Sequence, residues 1–588
     1  MANRFLEYYN DELAALRRRA TRFADAFPKI AGRLRLARDT SDDPHVERLI
    51  QSFAYSAARV RQKIDDSLPE LTDGLLETLY PHYLAPVPAM SLVTFAPAKG
   101  LESVHDIPRG TQIVSEDIDG DKCRFVTTRT VPLAPVRLEH VRMMDRPIEA
   151  PPAPRPNAAS CLRITVTPTD RARLHEIGLT RLRLYLSGPT RQANALARLL
   201  HQHVMGVAVA NHSADKEARH LPANAVIAAG FSSTDALLPF PENGFQGYQI
   251  LTEFFSLPDQ FLFFDIEIGA LTQSDRADVY IYFNAPPQGL EKQIDGASLT
   301  LHASPIVNLF DMRAEPITLD GTRSHYRLRA DARRLRTRRI HSIQNVTLTH
   351  ASGATEPCQP FFHRLTDMQS DGAYWQLRRH SDGIEDTSVA FVDGRQTPAT
   401  HANTTASIQV LATNGNLPNR LPYGGGQPRL TLATSRDQVQ ATTCLRPMTV
   451  AREASDTHDR AWQLMSHLSL NHLSLTREGA PALRNILRLY DTGASRETAQ
   501  MIDAIEDVRT MPGIAQLGGV MVSGIDVTVL FDSQRIDDGQ AVVFGAVLDR
   551  FLGCYTTLNT FTRLTLRMKD RTDILASFPA RSGEEALI

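Results

Sequence analysis

No apolar run in this chain approaches the roughly 18 residues that a helix needs to span a bilayer, so a membrane-inserted helix is not expected. Its five cysteines (Cys123, Cys161, Cys358, Cys444 and Cys554) are scattered and form no Cys-x-x-Cys pair. That usage fits reduced thiols in a cytoplasmic protein. Charge of one sign is missing too. Sixty-four basic against 66 acidic side chains leave a formal net charge of −2, so no global field points to nucleic acid or to an anionic membrane. The chain has no phosphate-binding glycine loop with its lysine, no dinucleotide fingerprint, no serine elbow and no histidine–glutamate zinc helix. Each absence removes the commonest signature of one enzyme class. The opening MANRFLEYYNDELAAL is acidic and amphipathic, unlike a basic-then-apolar leader.

What the chain does carry is ordinary in bulk. A content of 42% hydrophobic and 22% charged residues is that of a soluble globular protein. At 588 residues it exceeds one core and predicts roughly two to four domains.

The first ninety residues stand apart. Tyr9, Leu13, Leu16, Ala20, Phe23 and Phe27 step 4-3-4-3-4, and so do Val46, Ile50, Phe53, Ala57, Val60 and Ile64. This is the seven-residue repeat that makes helices wrap around one another. A helix is expected over 4–27. A second starts at Asp43-Pro44, an acceptor side chain followed by proline at the first helical position, and runs to about Asp66. Ser67 and Glu70 form a capping box for a third helix with Leu71, Leu75, Leu76 and Leu79 on its buried side. Two readings stay open for the stripes: a hairpin within the chain, turned at Pro28 and Gly32, or a bundle shared with other chains. Leu49 and Ala54 widen the second stripe, which suits a bundle of three or more helices. The candidate partner-binding residues are Leu13, Leu16, Phe23, Ile50, Phe53, Val60 and Ile64.

From about Ser91 the period changes to two. Gln112–Val114 is expected to pair with Arg124–Thr127 across Asp119-Gly120. Strands are expected at Leu162–Thr167, Arg181–Leu186, Phe261–Ile268, Val279–Phe283 and Ser298–Leu301, with a helix at Gln192–His203. PIEAPPAPRP at 147–156 reads as a loop or linker. Near the end, helices are expected at Ala482–Tyr490, Arg496–Arg509 and Val543–Tyr555, and strands at Asp526–Phe531 and Arg563–Arg567. The fold class is therefore α+β and multidomain: a helical bundle region at 1–90, a β-rich middle at 91–340 and an α+β domain at 341–588.

Candidate chemistry is sparse. His201-Gln202-His203 offers two imidazoles, which do not complete a metal site. Asp117-Ile118-Asp119-Gly120-Asp121 lacks the acidic residue that closes a calcium loop, and its Asp-Gly already serves the hairpin. Gly425-Gly426-Gln427 sits among turn residues and reads as a loop. Arg333, Arg334, Arg336, Arg338 and Arg339 could touch phosphates. Without interleaved aromatics, however, they read as a solvated face or a protein interface. No metal or cofactor is expected.

One resemblance draws these features together. Asp43-Pro44-His45-Val46-Glu47-Arg48-Leu49, Leu68-Pro69-Glu70-Leu71-Thr72 and Leu79-Tyr80-Pro81-His82-Tyr83-Leu84 resemble the N-terminal signature of the TssF (ImpG/VasA) family of type VI secretion baseplate subunits. Phe254-Phe255-Ser256-Leu257-Pro258, Val307-Asn308-Leu309-Phe310, Leu411-Ala412-Thr413-Asn414-Gly415 and the stretch from Phe544-Gly545 to Asn559-Thr560-Phe561 are similar to it as well. Tyr55-Ser56 departs from the family's bulkier pair, and 147–156 looks like a local elaboration. The resemblance implies a non-catalytic structural protein, similar to the wedge proteins of contractile phage-tail baseplates. It further implies that two copies join one TssG and that this core recruits TssK. Six such wedges would surround the VgrG hub, contact TssE and template the sheath. The implied setting is cytoplasmic, docked at the inner-membrane complex, with no nucleic acid and no membrane insertion. A stand-alone scaffold or chaperone is the competing reading, and a hydrolase resting on His201, His203 and His363 is a third.

Overall fold

The computed structural model describes residues 2–33, 43–65, 81–169, 173–240, 245–271, 275–361, 373–379, 387–393, 404–434, 437–452, 479–491, 493, 495–517, 519–556 and 560–583. The chain divides into two compact units, Met1–Thr78 with Asp456–Leu464, and Leu79–Ser455 with Met465–Ile588.

In the first unit the helix Ala2–Ala26 is followed by a short helix Pro28–Arg33 and the long helix Pro44–Asp65. The start of the latter is as expected: Pro44 lacks an N–H where none is needed, and Asp43 Oδ1 accepts from His45 N at 2.9 Å. The expected third helix from Ser67 to Leu79 lies outside the described residues.

The second unit is mixed α and β, and mostly sheet. It contains a closed six-stranded barrel in the order Met90–Pro97, Ala303–Val307, Asp121–Thr127, Gln112–Ile118, Leu430–Leu432, Val439–Cys444. Strands from residues 90–127, 303–307 and 430–444 thus close around one core that includes Val93, Phe95, Ile113, Phe125 and Ile306. The expected hairpin is present: Gln112 pairs with Val126, Ile113 with Phe125 and Val114 with Arg124. Asp119 and Gly120 take positive φ at its tip, the conformation a two-residue turn of this kind requires.

A five-stranded sheet (Arg219–Pro222, Val204–Ala210, Ala277–Phe283, Ser160–Pro168, Val136–Asp145) and a four-stranded sheet (Val226–Ala229, Phe263–Glu267, Arg181–Leu186, Leu299–Leu301) belong to the largest core. The helices Thr190–Gln202, Gln246–Ser256, Ala480–Tyr490 and Asp538–Gly553 contribute to the same core. Residues 147–156 form a loop, as expected, but a packed one. Ile148, Ala150 and Ala153 cover Met144, Ala208 and Tyr282, and Tyr282 Oη donates to Pro151 O at 2.6 Å.

A further sheet of eight strands runs through residues 310–413, where sequence periodicity suggested no elements; its long strand Thr404–Thr413 pairs with Arg339–Thr349. The last sheet holds Ile505–Leu517, Val520–Phe531, Phe561–Met568 and Ile574–Ser577. Val520–Phe531 and Phe561–Met568 are parallel, joined by the helix Asp538–Gly553, which serves as their crossover. One expectation needs correction here. The helix expected over Arg496–Arg509 stops at Asp503, and Ile505 begins a thirteen-residue strand. Tertiary pairing with Val520–Phe531 overrides the helical spacing, since Ile505 is buried opposite Phe531. Likewise Phe261 and Leu262 close a 3-10 turn before the strand Phe263–Glu267.

Candidate interaction surfaces

In the first unit the two long helices pack together and run in opposite directions. Arg17 pairs with Glu47 at 2.6 Å and Arg61 with Glu12 at 3.0 Å, while the Phe5 and Tyr55 rings meet edge-on at 5.1 Å. The contact line on Pro44–Asp65 runs through Ala54 and Ala58, both fully buried. These small side chains four residues apart let the backbones approach closely. The heptad stripe is therefore only partly consumed. Leu13, Leu16 and Ile50 are half-buried. Phe53 is 63% exposed, Val60 59% and Leu49 74%, and Phe23 and Phe27 also face solvent. Ile64 lies in the helix, but its side chain is outside the described residues. The hairpin exists, and it leaves a ridge of large apolar side chains uncovered.

In the second unit the hairpin of Ile505–Leu517 and Val520–Phe531 extends as a ribbon. The third strand, Phe561–Met568, meets it only from Gly524 onward. Toward the tip the ribbon is two-stranded, and Met511, Ile514, Val520 and Met521 are each about two-thirds exposed. Thr510 to Ile525 contains no charged residue. Apolar patches of this kind on a surface mark contact sites. Sequence reasoning missed this ribbon, although Gly518-Gly519 between two uncharged alternating runs is a hairpin signal.

The motifs at 254–258, 307–310, 411–415 and 544–561 meet in pairs. Asn308 Nδ2 donates to Asn414 Oδ1 at 2.8 Å, and Asn414 N donates back to Asn308 Oδ1 at 2.7 Å. Asn414 Oδ1 also accepts from Arg124 N, and its Nδ2 reaches Lys122 O and Thr337 O. Both asparagines are fully buried, so this clamp fastens the barrel to the eight-stranded sheet. Phe254 stacks on Phe544 with centroids 5.5 Å apart and planes 11° from parallel. Gly545 lies where a Cβ would overlap Leu566, so glycine there permits close packing of helix on strand. Buried amides and stacked rings of this sort hold parts together and present no reactive atom.

The chemical candidates are placed as follows. His201 is half-buried with its ring edge-on to Phe264, and desolvation pushes its imidazole down to about 4. His203 bonds Asn284 at 2.9 Å and is also held below the usual histidine range by burial. His363 lies outside the described residues. Asp117 Oδ1 accepts from Gly120 N inside the hairpin turn. Asp121 is occupied by Thr337, Arg334 and Arg338, and the bonds from Thr337 and Lys122 N with the charge of Arg338 hold its carboxyl below the usual range despite burial. Among the described residues no cluster of three His, Cys, Asp or Glu side chains could hold a metal. Gly424, Gly425 and Gly426 take positive φ in a turn closed by Gly424 and Gln427. Of the basic run, expected as a solvated face or a protein interface, Arg333, Arg334 and Arg336 are exposed, while Arg338 is buried, drawn inward by Asp121. All five cysteines are free thiols.

The sequence matches the family model "Type VI secretion system, TssF" over residues 1–585. The chain belongs to the TssF family. It is 34% identical, over 98% of both chains, to the type VI secretion system component TssF1 of Pseudomonas aeruginosa. Its fold is similar to a chain in the cryo-electron-microscopy structure of the type VI secretion system TssK-TssF-TssG baseplate subcomplex. That match has a TM-score of 0.76 and 26% identity, covering 92% of this chain and 99% of the other. A chain in a structure of the type VI secretion baseplate complex has the same fold, with a TM-score of 0.59 at 24% identity over 98% and 100% of the two chains. TssF membership thus agrees with the resemblance carried by the motifs.

Proposed function

We propose that this TssF-family chain is a structural wedge subunit of a type VI secretion baseplate, working by being held in place rather than by turnover. In this reading two copies join one TssG through the N-terminal helices, and the resulting core recruits TssK. The wedge then contacts TssE, surrounds the VgrG hub with its fellows and templates the sheath, cytoplasmic and docked at the inner-membrane complex. The likeness to a chain of a TssK-TssF-TssG subcomplex supports the TssG and TssK contacts.

The observation that carries the reading is the uncovered ridge. Ala54 and Ala58 seal the hairpin, leaving Leu49, Phe53 and Val60 outward. Covering each such side chain is worth about 1.5–3 kcal/mol, against the ordering cost of association. The partner-binding set remains Leu13, Leu16, Phe23, Ile50, Phe53, Val60 and Ile64. Replacing Phe53 with Asp is expected to leave the second unit folded and to abolish co-purification with TssG. Normal recovery of TssG with the Phe53→Asp chain would overturn the role of this ridge.

A further inference from the structure

We propose that the loop 331–339 is a docking point for an acidic segment of another protein, presented by Arg333, Arg334 and Arg336. The inference rests on the baseplate reading only for the source of that protein.

The loop is fixed from beneath. Thr337 Oγ1 donates to Asp121 Oδ2 at 2.7 Å, Arg338 Nη2 donates to Asp121 Oδ1 at 2.7 Å, and Asn414 Nδ2 holds Thr337 O at 3.3 Å. The guanidiniums of Arg338 and Arg124 each lie 5.4 Å from the Phe310 ring. The three carboxylates seated at the loop serve its backbone and its inner arginines, and against five arginines they leave it net positive. Asp331 Oδ1 accepts from Arg333 N, Glu315 Oε1 accepts from Ala332 N, and Asp121 serves Arg334 and Arg338 together. Arg333 and Arg336 are exposed, and no carboxylate among the described residues pairs with either; Arg334 stays 45% exposed although it pairs with Asp121.

A loop backbone held this firmly loses little freedom on binding, and its exposed guanidinium forks suit carboxylates, which each can grip with two bonds. The concentration of positive charge is local, because the whole chain carries −2. No aromatic residue lies between 329 and 339 to stack a base, so an acidic polypeptide fits better than a single-stranded nucleic acid.

The test uses the chain co-expressed with TssG and TssK, carrying Arg333→Lys and Arg336→Lys, and treated with a zero-length carbodiimide that joins an ammonium to a touching carboxylate. The expected result is a cross-link from position 333 or 336 to an Asp or Glu of another subunit. In parallel, Arg333→Glu with Arg336→Glu should weaken retention of that subunit about tenfold or more. If TssG and TssK co-purify but neither position links to another chain, the inference fails and the baseplate reading stands. Nuclease-sensitive nucleic acid carried by the unaltered chain and lost from the Glu variant would also overturn it. If the unaltered chain recovers neither TssG nor TssK, the baseplate reading fails and the inference, left with no subunit to dock, is overturned with it.

Discussion

Asn308 and Asn414 each give and take hydrogen bonds in a site without water access, so neither can lose its amide without stranding the other. Replacing Asn414 with Ala is expected to cost about 2–3 kcal/mol, because several buried donors and acceptors lose their partner at once. Adding Asn308→Ala should cost less than the sum, since the two share bonds. Urea denaturation of the single and double variants measures both. Buried histidines set a second expectation. An unfolded imidazole takes its proton near 6.5, whereas burial holds His201 and His302 down to about 4 and His341 down to about 3. Below 6.5 the unfolded chain therefore binds more protons and stability falls with pH, by about 1.4 kcal/mol per unit for each histidine. Glu253, pushed up to about 7 by burial, works the other way and offsets one of them. The thermal midpoint should drop between pH 6 and pH 5. A midpoint that rises or stays level would contradict the assignment of these imidazoles as neutral.

Among the elements, those with strong local signals were legible. Proline after an Asp acceptor fixed the start of Pro44–Asp65, and Asp119-Gly120 fixed a hairpin, because each signal acts within a few residues. The strand Ile505–Leu517 was misread at its start because its first residues can also continue a helix. Only pairing with Val520–Phe531 decides between the two, and that partner lies across a turn. The eight-stranded sheet and the barrel draw strands from distant stretches, which no local period encodes. The ribbon tip bears the clearest consequence at this scale. A two-stranded arm with apolar side chains outward is a surface seeking cover. Exchanging Ile514 and Met521 for Thr should keep the strand pairing and reduce self-association of the isolated chain, as read by light scattering. Unchanged association would show that the arm plays no part in it.

At the scale of the molecule, the heptad stripes were visible in the sequence, yet the face they bury was not. The repeat alone fits a hairpin or a shared bundle equally well. Ala54 and Ala58 decide the inner contact, and Phe53 and Val60 are left facing out. The inner contact thus follows an alanine line beside the predicted seam, and Phe53 and Val60 of that seam are left on an outer ridge of the same helix. The most direct measurement is the mass of the intact complex recovered when this chain is co-expressed with TssG. The account predicts two copies of this chain for each TssG, and loss of that species when Phe53 is replaced with Asp. A stable, monodisperse chain that ignores TssG would contradict it.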